Sequence, residues 1–451
     1  MNNNNHSRRS FLRVAGGALS LAGVQHLASM NAMAQNPSDY KALVCIFMFG
    51  GNDGHNTVIP MATQPYNAYK AIRGNLSLPN QDTQVLNVVA KNGTPYGLNG
   101  GFQSLHPLWA QGKMAVVANT GMLVQPTTRQ QFLSNAVPVP TNLFSHSDAV
   151  QQMQAGSPTG SGGTGWAGRV ADAVVGINGA NTFPPTISMA GPVLFTKGNV
   201  VQSASLIPGY DMTLSGMNFW PETAAAARRQ SYQEILGMDS GMAVVQSANK
   251  VRQDALSLSA MLKNLSAGPA LGTVFPGTNL GQQLQQVAKI IQLRGQTGIK
   301  RQVFFCSIGG FDTHSSQSWA HWDLLRQISD ASAAFYNATT EMGIADKVTT
   351  FTESDFGRTL QPSGAGSDHG WGSHHWVVGG GVKGGDLYGT FPTMALTGPD
   401  DASSRGVLIP TTAIDQYGAT MAKWFGVDPA GLQTVFPNLA NFGVSDLGFM
   451  A

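Results

Sequence analysis

Glu353 and Asp355 stand two residues apart in Phe351-Thr-Glu-Ser-Asp-Phe-Gly-Arg358, and Asp368, His369, His374 and His375 follow within about twenty positions. Carboxylates spaced by two share one face of an extended chain, where their repulsion is costly unless a cation or protons lie between them. Carboxylate mixed with imidazole is a normal ligand set for zinc or a similar divalent ion. Asp312 and His314, in Gly309-Gly-Phe-Asp-Thr-His314, repeat the spacing and can point the same way. Asp53, in Gly50-Gly-Asn-Asp-Gly54, is a natural first ligand, and the alternative there is a turn in which Asp caps the backbone. Ser145, His146 and Ser147 precede a helical pattern and offer a nucleophile or an oxyanion contact at a helix amino terminus. Ser147 and Asp148 equally suit a plain helix cap.

These residues need rigid elements to hold them, and the apolar runs just before them supply strands. Lys41–Phe49, Gln302–Ile308 and Val348–Thr352 are continuous, β-branched or aromatic, and stop at glycine-rich turns. Unbroken apolar strands belong to a sheet covered on both faces, and open α/β sheets bind ligands just past the carboxyl ends of their strands. Met114–Ala118 and Trp376–Val382 read as further strands, with Gly101–Gln111 as a helical crossover. Leu280, Leu284, Val287 and Ile291 mark one face of an amphipathic helix, and 319–342 and 411–426 read as long helices. The helical pattern over about 221–295 reads as an insertion beside the sheet.

The chain has 451 residues, of which only 11% are charged, and a net charge of +2, which excludes a nucleic-acid footprint. Cys45 and Cys306 lie within apolar strand-like runs and read as buried free thiols. Ser7-Arg-Arg-Ser-Phe-Leu-Arg13, followed by an uncharged run and by Ala32-Met-Ala34, resembles a twin-arginine export signal, placing the mature start near Gln35. Residues 1–34 would then be the signal peptide and 35–451 a single domain, delivered by the twin-arginine translocation machinery to the periplasm or the medium. No later stretch has the roughly 18–20 apolar residues of a membrane span.

Gly50-Gly-Asn-Asp-Gly54, Phe144-Ser-His-Ser-Asp-Ala149, Gly310-Phe-Asp-Thr-His314, Glu353-Ser-Asp-Phe-Gly-Arg358 and Asp368-His-Gly-Trp-Gly-Ser-His-His375 occur in that order. This set resembles the exported bacterial DUF1501 family, which is similar to the alkaline phosphatase and sulfatase superfamily. The resemblance implies a three-layer α/β/α sandwich around a mostly parallel sheet, alkaline phosphatase-like, with one or two divalent metals at the strand ends. It places Asp53 and Asp355 on one metal, and Asp312, His314 and one of His369, His374 or His375 on the other. Counting back from Gly379-Gly-Gly381 favours His369, leaving His374 and His375 as extra ligands or substrate contacts. Arg358 would hold an anionic oxygen, and the nucleophile position falls on His146 or Ser147. Phe356 stands where the superfamily usually has a further His. The implied activity is hydrolysis of a small-molecule or polymeric phosphate or sulfate ester. The histidines favour zinc over manganese, magnesium or calcium. The alternative is a non-catalytic, metal-containing binding or scaffold protein of the cell envelope.

Overall fold

The computed structural model describes residues 39–160, 162–181, 183–208, 216–246, 248–250, 252–253, 256, 258 and 270–451. The export signal and its expected cleavage point lie outside the described residues. Twelve strands are formed among the described residues: β1 (Lys41–Met48), β2 (Val58–Pro60), β3 (Val85–Val89), β4 (Pro95–Asn99), β5 (Met114–Gly121), β6 (Thr186–Ser188), β7 (Ser203–Ser205), β8 (Arg301–Ile308), β9 (Val348–Ser354), β10 (Ser373–Gly379), β11 (Asp386–Tyr388) and β12 (Thr412–Ala413). Nine build one sheet in the order β11-β5-β10-β9-β1-β8-β6-β7, with β12 beside β5. The remaining three make a small antiparallel sheet, β2-β4-β3.

The large sheet is parallel except for β10, which runs against both β9 and β5. Its central strands are apolar on both faces because both are covered. On one face, Val44, Ile46 and Met48 pack with helices α6 (Asn279–Gln292) and α7 (Gln317–Glu341) through Leu284, Ile291, Leu325 and Ile328. On the other, Leu43, Cys45 and Phe47 meet α3 (His146–Ala155), α4 (Trp166–Ala173) and α8 (Ile414–Phe425) through Met153, Trp166 and Tyr417. Burying each such side chain contributes about 1.5–3 kcal/mol. This is the expected three-layer α/β/α sandwich. Both cysteines are free and buried, as their apolar settings require.

Two elements differ from expectation. The helix carrying Leu280 to Ile291 covers the sheet itself, whereas within the expected insertion α5 (Glu222–Gly237) and the helical residues 243–246 stand mostly exposed. The crossover near Gly101–Gln111 is a 3-10 turn, Gly100–Phe102, and a five-residue helix, His106–Ala110. Gly100, Gly101 and Pro107 discourage a longer helix there.

Because β10 reverses, the segment from Asp355 to Gly372 leaves and rejoins the sheet on one edge. It folds on itself as a hairpin: the Gly357 N–H donates to Trp371 O (2.9 Å), Gly370 N–H to Gly357 O (2.8 Å) and Thr359 N–H to Asp368 O (3.0 Å). No helix among the described residues is long and apolar enough to cross a membrane.

Candidate metal centre

β8 ends before Gly309-Gly310, and the following turn exposes Asp312 and His314 at the carboxyl edge of the sheet. β9 ends at Ser354, delivering Asp355; the hairpin beyond it brings Arg358, Asp368 and His369; and α3 starts with His146. Gly50, just past β1, permits the close approach of these segments. A Cβ there would stand 2.3 Å from the Asp312 nitrogen, and its φ of +116° is open only to glycine at little cost. Its N–H donates to both oxygens of Asp355, at 3.0 and 3.1 Å.

Three imidazoles converge on Asp312. The Nε2 atoms of His314, His369 and His146 lie 3.0, 3.3 and 3.4 Å from Asp312 Oδ1, and those of His314 and His369 are 3.2 Å apart. Each Nδ1 faces an acceptor: His146 to Asp355 Oδ2 (2.7 Å), His369 to Phe144 O (2.8 Å) and His314 to Asp368 Oδ1 (3.4 Å). Asp368 is held in turn by Arg405. With the protons on Nδ1, the Nε2 lone pairs are free to face one point, as outer partners of metal-binding histidines arrange.

The donor set fits a divalent ion on two observations. His146 Nε2 is buried and makes no hydrogen bond, and ligand atoms of His146, Asp312 and His369 all lie within 4.8 Å of one another. Four ligands about 2.0–2.1 Å from a tetrahedral ion stand about 3.3 Å apart, close to the separations found here. Phe356 walls the cluster, its ring 4.7 Å from those of both His146 and His369. The hydrogen bond to Asp355 lifts the His146 pKa, whereas burial lowers that of His369. Burial alone would raise the Asp312 pKa, but Arg358 and the surrounding imidazoles outweigh it and hold the carboxylate below its usual range.

Several expected residues are elsewhere. Asp53 is fully buried, and its carboxylate is taken by the guanidinium of Arg73, by the Gln317 amide and by the His55 N–H (3.1 Å), which makes it a helix cap and counter-ion rather than an open ligand. His374 and His375 are neighbours on β10 and so point to opposite faces. His374 Nδ1 accepts the Asn119 N–H at 3.0 Å and its ring stacks on Phe391; His375 lies against Tyr417, its Nδ1 3.4 Å from Thr352 Oγ1. Burial pushes both imidazoles down to about 3, so they are neutral core residues and not ligands of this cluster. The Ser147 hydroxyl turns to Ser145 (3.2 Å) and Asp148 (3.3 Å), away from the imidazoles. Arg358 is enclosed, with Nη2 3.0 Å from Asp312 Oδ1 and with Nε and Nη1 unpartnered, so it braces Asp312 instead of facing solvent. Glu353 shares the face of Asp355 but lies deeper, accepting from Trp166 Nε1 at 3.1 Å, and burial drives its carboxyl pKa well above the usual range.

Arg73, Gln317, the Phe144 carbonyl and the bracing role of Asp368 were not legible in the motifs. Arg73 closes the helix α2 (Thr63–Arg73), where a basic residue reads as a solvated end charge. Phe144 has a φ of +75°, a strained conformation that sequence does not announce.

Comparison with solved structures finds a sulfatase, PsFucS1, from Pseudoalteromonas sp., at 9% identity over 90% of this chain and 70% of that one, with a TM-score of 0.35. It also finds the lipoteichoic acid synthase LtaP of Listeria monocytogenes (6%, covering 85% and 80%, TM-score 0.32) and the phosphonate monoester hydrolase of Agrobacterium radiobacter (10%, covering 86% and 74%, TM-score 0.32). Values this low set no residue of this chain against a residue of theirs. No curated protein sequence matches the chain. Residues 40–412 match the family described as proteins of unknown function, DUF1501, and the chain therefore belongs to the DUF1501 family.

Proposed function

We propose that this protein is an exported, metal-dependent hydrolase of phosphate or sulfate esters. The observation that carries the reading is the convergence of His146, His314 and His369 on Asp312, each Nδ1 facing a separate acceptor. A divalent ion bound there would polarise an ester oxygen and lower the pKa of a bound water. Imidazole-rich ligation favours zinc, with manganese, magnesium and calcium as weaker matches. The chain's own residues hold the geometry. Asp355 and the Phe144 carbonyl fix the tautomers of His146 and His369, Arg358 holds Asp312 from behind, and Phe356 excludes water from one side. Asp312, with 47% of its side chain exposed, is the face open to a small-molecule or polymeric ester.

A second reading, a silent metal-containing scaffold of the cell envelope, draws support from the Ser147 hydroxyl, which makes its hydrogen bonds with Ser145 and Asp148 and not with the cluster. One experiment separates the two. The purified mature chain is analysed for bound metal and screened over phosphate mono- and diesters and aryl sulfates, with and without chelation. Bound metal with turnover lost on chelation supports the hydrolase; metal without turnover on any ester favours the scaffold; no metal under replete conditions refutes both. Export by the twin-arginine route to the periplasm or medium is tested by Arg8→Lys with Arg9→Lys, which should retain the precursor in the cytoplasm.

A further inference from the structure

We propose that the chain is built for one divalent ion, and that the Arg73 guanidinium is the permanent cation of Asp53, the carboxylate a second ion would need. This inference rests on reading His146, Asp312, His314 and His369 as a metal site. The superfamily resemblance implies a further ion on Asp53 and Asp355, and the residues present do not fit it.

Asp53 has no free side. Oδ2 accepts from both Arg73 Nη2 and Gln317 Nε2, and Oδ1 from the His55 N–H. Its partners are themselves pinned. Arg73 is fully buried, and its Nη1 donates to Thr359 O (3.0 Å) and Leu360 O (3.2 Å). Gln317 Oε1 accepts from Ser367 Oγ at 2.6 Å. Asp355, for its part, is engaged by the Gly50 N–H and by His146.

Charge argues the same way. An arginine does not shed its proton inside a protein, so Arg73 stays positive whatever approaches. Arg358 is a second enclosed guanidinium whose field also reaches Asp53. Burial lowers nearby His55 and His321 to about 4, so neither joins as a further cation at neutral pH, but neither supplies negative charge. A divalent ion shared by Asp53 and Asp355 would meet two fixed cations, Arg73 and Arg358, and two carboxylates that are already engaged, in a buried setting where repulsion is far stronger than in water. Among the described residues, the single group of three or more metal-ligating side chains is the one at Asp312. The guanidinium thus takes the electrostatic place of a second metal and cannot dissociate.

The test is zinc stoichiometry, by elemental analysis of chelator-competed protein and by calorimetric titration. One tight equivalent is expected in the parent, and one in Asp53→Asn, whose change leaves the Asp312 cluster complete. Because Asp53→Asn strands the buried Arg73, the paired variant Asp53→Leu with Arg73→Met is measured beside it; replacing a buried ion pair by apolar groups of similar volume is often tolerated. Two tight equivalents in the parent, or loss of the single equivalent in a folded variant, would overturn the proposal. The first of these leaves the metal-dependent reading standing; no equivalent in the parent removes both.

Discussion

His146 Nδ1 and Asp355 Oδ2 lie 2.7 Å apart, tying the first residue of α3 to the residue just beyond β9. The bond fixes which nitrogen of His146 carries the proton and leaves Nε2 to face Asp312. Removing the acceptor's charge and one of its two accepting oxygens while keeping its shape, Asp355→Asn, should cost about 10- to 100-fold in metal affinity, as the loss of such outer partners does. His369→Ala and His146→Ala, which delete ligands outright, should cost more. His374→Ala and His375→Ala should leave affinity unchanged while lowering the melting temperature. Titration with zinc against a competing chelator orders the series, and equal affinities in His369→Ala and His374→Ala would remove the ligand assignment.

Phe356 separates packing from ligation at the same place. Its ring touches both His146 and His369, and Gly51 leaves it room, since a Cβ there would come within 2.6 Å of the ring. Phe356→Ala should cost about 3–5 kcal/mol of stability from the cavity left. It should also loosen both imidazoles and weaken metal binding. Denaturant unfolding with and without chelator reads the two effects; unchanged affinity would show that the wall is only structural.

Buried carboxyls should give this protein a stability that declines toward alkaline pH. Asp415, near the start of α8, is fully buried with neither oxygen hydrogen-bonded, and burial pushes its pKa up to about 7. A raised carboxyl pKa means that the folded chain holds a proton the unfolded chain has released, so the slope of stability with pH is negative across that window. The stabilising proton is fully present below about 4, the usual carboxyl range, and its contribution is lost as pH rises toward 7. Asp415→Asn should abolish that decline, gaining on the order of 4 kcal/mol over the parent at pH 8 and little at pH 4, since each tenfold change in proton affinity is worth about 1.36 kcal/mol. Thermal melts from pH 5 to 8 check the widening gap; parallel curves would refute it. Glu353→Gln should behave in the same direction.

Much of this was legible in the sequence. The unbroken apolar runs before Gly50, Gly309 and Asp355 placed β1, β8 and β9 and their carboxyl ends, because doubly covered strands admit few polar residues. The period of two joined Asp312 with His314, and the same rule separates His374 from His375 once the strand is known to begin at Ser373. The direction of β10 was hidden, since an apolar run carries no sign of parallel or antiparallel pairing. The capture of Asp53 by Arg73 was hidden too, because a contact between a turn and a helix end depends on packing that no local pattern encodes.

The return of β10 along the edge that β9 leaves gives the site two different histories. Asp355, Arg358, Asp368 and His369 share one hairpin, stitched by the pairing of Arg358 with His369. Closing so short a loop costs little chain entropy. Asp312 is separated from that hairpin in the chain by the 25-residue helix α7, and His146 lies 209 residues before Asp355. We expect the hairpin half of the centre to form early in folding and the long-range half late. Pulsed hydrogen exchange during refolding should protect the Thr359 and Gly370 amides before the Gly50 amide, whose acceptor Asp355 belongs to the early half while Gly50 itself waits for β1 to pair.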